Sequence, residues 1–279
     1  MATAADIALT DDAAHLRRWI GRSQEAEAEV TEHLVDRYEA IFETGRGAAA
    51  PGLHWCLFTA CHKVADLGPD GHPPRGSFLP PVSLPRRMWA GGTLEFHDDL
   101  SIGDHVTRRS EIRDVVTKTG RCSPLVFVTV AHEVATARGP AITETQDIAY
   151  RAAATGPVEL APPRPVEGDE QVCRRQSVPT TLLFRYSALT ENAHRIHYDH
   201  AYATGEEGYP GLVVHGPMQA SWLLQSAAES GPLARVRYRG VAPLIQSEGP
   251  VAICRDGATY WTQDASGRRC MQAELESVA

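Results

Sequence analysis

Residues 186–217 read YSALTENAHRIHYDHAYATGEEGYPGLVVHGP. Within a few positions this stretch sets Asn192, His194, His197, Asp199 and His200 beside apolar residues. The glycine-rich turn Gly208-Tyr209-Pro210-Gly211 follows, and then His215-Gly216-Pro217. Polar groups at this density are costly beside apolar runs unless they face a cavity or perform chemistry. Proline suits a first helical turn and glycine the position just past a last one, so Gly216-Pro217 and Gly231-Pro232 bracket a helix over MQASWLLQSAAES, residues 218–230. Its Met218, Trp222 and Leu223 read as core. Upstream, a short helix follows Pro179 over 180–190. Downstream, strands are expected at 234–241 and 250–255, and a hairpin joins 259–263 to 269–276 across 264–267.

The first half of the chain gives a similar outline. Thr31 can cap VTEHLVDRYEAIFE, where Leu34, Val35, Tyr38, Ile41 and Phe42 share one helical face. A proline-rich loop covers 68–85. Strand-like runs follow at 87–96, 105–117 and 125–135, with Lys118-Thr119-Gly120 as a turn, and 141–151 as a fourth strand. Between the halves, AAATGPVELAPPRPVEGDE at 152–170 has no apolar period and reads as a linker. The expected units are therefore 1–151 and 171–279. Helix first, then consecutive antiparallel strands, twice over, argues for α+β domains in which a sheet wraps a helix.

The bulk numbers narrow the function. A chain of 279 residues holds one large domain or two ordinary ones. With 27 basic and 35 acidic residues the net charge is −8, which gives no basic face for nucleic acid. A local arginine cluster could still hold an anionic substrate. The N-terminal residues resemble neither a signal nor a transit peptide, and no run of ~18 apolar residues predicts a membrane span, so a cytoplasmic protein is expected. Cys56, Cys61, Cys122, Cys173, Cys254 and Cys270 form no Cys-x-x-Cys pair and are expected as buried free thiols. Cys56, Cys61 and His62 lack the second ligand pair that zinc needs.

The 186–217 stretch resembles the active-site motif of the MaoC-like, or type 2, enoyl-CoA hydratases. The matching residues are Tyr186, Leu189, Thr190, Ile196, His197, Asp199, Gly208, Gly211, His215 and Gly216. The segments LPPVSLPRRMWAGG at 79–92, PLVFVTVAHE at 124–133 and QDIAYR at 146–151 extend the likeness. They look like the subgroup of hydroxyacyl-thioester dehydratases and mesaconyl- or itaconyl-CoA hydratases, which carry a degenerate N-terminal hot-dog domain. The resemblance implies an α+β double hot-dog, each half an antiparallel sheet wrapped around a central helix. It implies a hydro-lyase acting on an acyl-CoA or acyl-carrier-protein thioester, with no cofactor beyond the coenzyme A of the substrate, no metal and no membrane. The chain would work as a monomer or as a homodimer of double hot-dog chains. Asn192 stands at the family's catalytic Asp and His194 at its Asn.

Hydration of an enoyl thioester needs a base for water, a proton for the α-carbon and a donor for the thioester oxygen. His197 is the candidate acid/base, because imidazole titrates near working pH. Asn192 would hold water and His194 share proton transfer. The Gly216 N–H, at a helix start, is where the family places its oxyanion donor. Tyr186, Asp199, Gly211, Val214 and His215 are expected to contact the substrate. Arg86 and Arg87 would meet a substrate carboxylate or the coenzyme phosphates. Three other readings use the same residues: hydrolysis, with Glu191 as the nearby carboxylate; a metal site on His194, His197, Asp199 and His200; and an acyl-binding protein inactivated by Asn192.

Overall fold

The computed structural model describes residues 13–59, 61–119, 124–153, 156–160, 162–163, 171–247 and 249–276. In chain order the elements are helix α1 (Ala13–Arg17), strand β1 (Ser23–Glu29), helix α2 (Glu32–Phe42) and strands β2 (Arg86–Phe96), β3 (His105–Thr119), β4 (Pro124–Thr136), β5 (Gly139–Arg151) and β6 (Gln171–Gln176). Helices α3 (Thr180–Thr190), α4 (His200–Gly205) and α5 (Gly216–Ala228) follow, then strands β7 (Arg235–Gly240), β8 (Val251–Asp256), β9 (Thr259–Gln263) and β10 (Arg269–Glu276). A 3-10 turn at Arg195–His197 separates α3 from α4.

The ten strands form one antiparallel sheet in the order β1-β3-β4-β5-β2-β7-β10-β9-β8-β6. The fold is a mixed α+β, hot-dog-like arrangement of the double hot-dog kind. The two halves meet where β2 pairs with β7, from Gly91 opposite Arg239 to Glu95 opposite Arg235. The sheet crowds at that junction. A side chain on Gly92 would run into the Thr145 carbonyl oxygen and the Tyr238 hydroxyl, which explains the paired glycines of MWAGG.

Both edge strands differ from the expected outline. β1 is SQEAEAE, whose only alternation sets two alanines between glutamates, and β6 is QVCRRQ, which has none. Each pairs on one side only, β1 with β3 and β6 with β8. Charge suits such an edge, because it blocks pairing with another chain. In each half a strand therefore precedes the first long helix. The turn expected at Lys118-Thr119-Gly120 also moves, since β3 continues through Thr119. Gly120, Cys122 and most of 152–170 lie outside the described residues. Cys56, Cys254 and Cys270 are buried as expected, whereas Cys61 and Cys173 are exposed.

Helix α5 is buried almost all round, from Met218 to Ala228, and packs on β7 to β10. It is the central helix of the second half. Helix α2 is capped by Thr31, whose hydroxyl accepts from the Leu34 N–H at 3.1 Å. It buries Val35, Tyr38, Ile41 and Phe42 in the same core as α3 and α5, and the Phe42 ring meets Tyr186 edge-on at 5.8 Å. The first half thus shares its helix with the second. Its sheet is covered at one end by that shared core, through Leu94, Val106, Val134 and Ile142. At the other end Val82 and Leu84 of the proline-rich loop pack on Ile112, Val128 and Tyr150. A cavity lies between those two apolar ends. No helix of the described residues is long and apolar enough to cross a membrane.

The proline-rich loop also ties the halves together. Arg195 donates from its backbone N–H to the Asp70 carbonyl at 2.9 Å and from its guanidinium to the Pro69 carbonyl at 3.0 Å. Gly71, at φ +88°, lies so close to Ala193 that any side chain would collide with the Ala193 carbonyl oxygen. Gly71→Ala is therefore expected to lower stability by ~2–4 kcal/mol, against ~1 kcal/mol for Gly103→Ala, which has the same backbone sign and open space. Urea unfolding of the two variants checks this. Equal losses would mean that the loop does not dock there.

Candidate active site

His197 ends the 3-10 turn after α3, and one hydrogen bond fixes its ring. Its Nδ1–H donates to the Val213 carbonyl at 2.7 Å. A carbonyl only accepts, so Nδ1 carries the proton and the neutral ring presents a bare Nε2. Val213 is itself held: its N–H donates to Ile196, and it forms a bridge with Ile245. The neighbouring Gly211 backbone runs against Ile245 as well. Burial pulls the His197 imidazole down to about 4, outweighing the Val213 bond. The ring is therefore neutral over the physiological range.

Four imidazoles stand in file. His72 lies 4.1 Å from His194, His194 lies 5.5 Å from His197, and His197 stacks on His215 at 3.7 Å, all between ring centroids. At the far end His215 shares a 2.8 Å hydrogen bond with Ser187, and Tyr186 meets it edge-on at 4.9 Å. At the near end His72 Nδ1 bonds Asp70 at 3.0 Å. Burial lowers each of these rings. His194 falls to about 2, pressed further by His72 and His197, and His215 falls well below its ordinary value. His72 is lowered too, against the pull of Asp70. Burial would raise the Asp70 carboxyl, but the His72 ring and N–H hold it below the usual carboxylate range.

The cavity has a volume of about 570 Å³. One wall is Tyr186, Asn192, Ala193 and Pro217, and the other is the inner face of the first half's sheet, with Arg87, His132, Glu144 and Ile148. His72 joins the two walls. Gly216, beside Pro217, opens α5, so its N–H has no intrahelical acceptor. The Trp89 ring presses on it, and a Cβ on Gly216 would come 2.9 Å from Trp89 Cε3. Trp89 in turn stacks on Tyr238 at 4.5 Å and meets Trp55 edge-on at 5.4 Å. Glu144 accepts from the Tyr238 hydroxyl at 2.5 Å and from the Trp55 indole at 3.1 Å. Burial would push its carboxyl up, but His54, His132 and Tyr238 bring it down to about 2.

The residues singled out in the sequence divide. Tyr186 and Asn192 line the cavity, His194, His197 and His215 form the file of rings beside it, and Gly216 precedes the lining residue Pro217, while Gly211 and Val214 brace the Val213 segment against Leu244 and Ile245. Asn192 uses its carbonyl oxygen to hold the His194 N–H at 3.0 Å, so that oxygen shapes the turn. Val214 bonds Leu244 and accepts from Gln219, which anchors the entry to α5. Asp199 stands apart. It caps α4 through the Tyr202 N–H at 3.0 Å and pairs with Arg195 at 2.7 Å, so it neither orients His197 nor lines the cavity. Arg86 is also turned away. It is buried in an ion pair with Glu207 at 2.7 Å, which binds the halves to each other, while its neighbour Arg87 lines the cavity. Glu191 is exposed at the C-cap of α3.

The metal set His194, His197, Asp199 and His200 does not assemble, because His197 Nδ1 and Asp199 are engaged elsewhere. Among the described residues the converging ligand types are Asp70, His72 and His194, within 4.8 Å of one another. Both Asp70 oxygens there already accept from His72, from its ring and its N–H. Asp70, His72 and Glu144 escaped the sequence reading, and Trp89 entered it only as part of the 79–92 segment. The one local signal was Asp70-Gly71-His72 between prolines, which marks a tight turn but no chemistry.

Residues 52–246 match the family model "Hydroxyacyl-thioester dehydratase type 2". The chain is 41% identical over 240 residues to the mesaconyl-C(4)-CoA hydratase of Chloroflexus aurantiacus, covering 81% of this chain and 84% of that one. Among solved structures, the MaoC-like dehydratase of Phytophthora capsici superposes with a TM-score of 0.67 at 12% identity, over 95% of this chain and 98% of that one. A double-hotdog protein of Mycobacterium tuberculosis superposes at 0.55 and 14%, over 92% and 95%. The structures bear on the fold and the sequence matches on the family. Together they show that the chain belongs to the type 2 hydroxyacyl-thioester dehydratases, within the MaoC-like hot-dog hydratases and dehydratases, and is a hydro-lyase acting on an acyl thioester.

Proposed function

We propose that the chain interconverts a 2-enoyl-CoA and its hydroxyacyl-CoA, with His197 as acid/base and the Gly216 N–H as oxyanion donor. The observation that carries this reading is the hydrogen bond from His197 Nδ1 to Val213 O. It fixes the tautomer that hydration requires and leaves Nε2 with no protein partner among the described residues. In the hydration direction Nε2 takes a proton from water while the water oxygen bonds to the β-carbon. Charge moves onto the thioester oxygen, where the Gly216 N–H and the positive end of α5 receive it. The imidazolium then returns the proton to the α-carbon. Dehydration runs the same steps backwards.

Asn192 Nδ2, the part of that side chain not used in the turn, holds the water. His194 and His72 lie between His197 and the cavity wall, and Asp70 keeps His72 in place. Residues 171–279 carry the chemistry, 1–151 the facing wall, and 152–170 the connection. The name of the Chloroflexus relative suggests a mesaconyl-type acyl group, and the polar lining of the cavity supports one.

His197→Ala should lower kcat for enoyl-CoA hydration by ~10²–10⁴ with little change in KM. Loss of the enoyl absorbance reads this, and a thiol reagent checks that no CoA is released. Full activity in the variant would sink the assignment. The pH profile tests the same group. Since burial lowers His197 to about 4, its base form persists well below pH 6.5. With crotonyl-CoA, which has no ionising acyl group, kcat/KM should stay level from pH 8 to about 5 and fall only below that. A midpoint near the ordinary 6.5 would contradict the neutral, buried His197.

A further inference from the structure

Arg87 is a cation facing a cavity with nothing to neutralise it. Adjacent residues in a strand point to opposite faces. Arg86 therefore turns to Glu207, while Arg87 turns inward. Among the described residues no carboxylate lies within ion-pair distance of Arg87. The nearest acidic group acting on it is Asp70, and both Asp70 oxygens are held by His72. The other carboxylate lining its side of the cavity, Glu144, is held by Trp55 and Tyr238. A cation taken out of water is expensive unless an anion meets it.

A second group waits beside it. Tyr150 sits opposite Arg87 across the β2–β5 ladder. Its hydroxyl is fully buried near that guanidinium and makes no well-formed hydrogen bond. Arg75 lies over the Tyr150 ring at 5.3 Å, but it is committed to the Val82, Leu84 and Pro85 carbonyls and is not free to serve the cavity.

The position relative to the chemistry is set by β2. Arg87 and Trp89 share a face, about 6.6 Å apart along the strand. Trp89 rests on Gly216, the oxyanion donor of the proposed reaction. Arg87 also acts electrostatically on His72 and His194. It thus reaches the acyl group close to the reacting carbons. The coenzyme phosphates, a long pantetheine arm away from the thioester, would not come so deep.

We propose that Arg87, with the Tyr150 hydroxyl beside it, is the receptor for a carboxylate carried by the acyl group on or next to its β-carbon. The preferred substrate is then a dicarboxylic enoyl thioester, and Arg87 is the specificity-determining residue. This rests on the hydro-lyase reading for the direction of the acyl group, but its test does not need turnover.

Succinyl-CoA and butyryl-CoA differ in having or lacking a carboxylate at that position, and neither has the double bond. Calorimetry should show the wild type binding succinyl-CoA at least ~10-fold more tightly. The preference should vanish in Arg87→Gln and shrink in Tyr150→Phe, with butyryl-CoA binding unchanged within ~3-fold. Arg87→Lys should recover part of it. In turnover, Arg87→Gln should lose ~10²-fold or more in kcat/KM on mesaconyl-C4-CoA and keep crotonyl-CoA hydration. Near-ultraviolet circular dichroism confirms that each variant is folded. Equal binding of the two saturated thioesters by the wild type would overturn the proposal, as would an equal loss on both in Arg87→Gln, which marks a contact to coenzyme A or a structural role. If selective binding is present but the wild type turns over no enoyl thioester, the hydratase reading falls and the receptor stands.

Discussion

The ladder between β2 and β7 is the constraint on which the rest depends. It turns two half-sheets into one and fixes the distance between the wall of Arg87, His132 and Glu144 and the wall of Tyr186, Asn192 and Pro217. Trp89 reaches Gly216 because β2 lies next to β7. The same junction lets Glu144 of β5 accept from Tyr238 of β7. Both contacts cross between the halves, so neither half alone can form the cavity. The Arg86–Glu207 pair and the docking of 69–71 on 193–195 close the other side. Buried ion pairs contribute little net stability, but they penalise any other arrangement of the same groups. That suits a joint whose register decides the site.

Within that frame the file of imidazoles depends on dryness. Four histidines at such spacing would repel each other if charged, and burial keeps them neutral. Their state is then set by hydrogen bonds. The Val213 carbonyl dictates the His197 tautomer, and Asp70 gives His72 an acceptor for its Nδ1–H. The family motif's Asp is replaced by Asn192, but a carboxylate is still present two rings away, supplied by the other half. It is placed to tune an imidazole rather than to exchange a proton with the substrate.

The segment 186–217 was legible because the costs were local. Polar residues, a glycine turn and a helix start in thirty positions leave few folds that satisfy them all. Helix α3, helix α5 and the last three strands followed from the same kind of signal. β1 and β6 were not legible, since an edge strand protected by charge has few large apolar residues, and the alanines of EAEAE suit a helix as well as a strand. Arg86 and Arg87 were read together, and only the phase of β2 separates a joint from a cavity wall. Nothing in the sequence sets that phase, because MWAGG has apolar or small residues on both faces. Asp70 and His72 lay in a proline-rich loop, where partners depend on tertiary docking alone. Asp199 was misplaced for a related reason: an aspartate before a short helix caps it, and the motif obscured that simpler role.

The first half supplies the facing wall of the cavity. Here α2 joins the common core, and the inner face of β2 to β5 sets Arg87, Arg108, His132, Glu144 and Gln146 along the cavity among the apolar Val130, Val134 and Ile148. With α2 in the common core, the strand side chains along that face line the cavity and are free to recognise a ligand. In the proposed reaction His197 and Gly216 act from one half, and Arg87 faces the acyl group from the other. Substitutions on the first wall can change which acyl group is held without altering His197, Val213 or the start of α5. The limit on such change is the junction itself: any residue that shifts β2 against β7 moves Trp89 relative to Gly216 and alters selectivity and chemistry together.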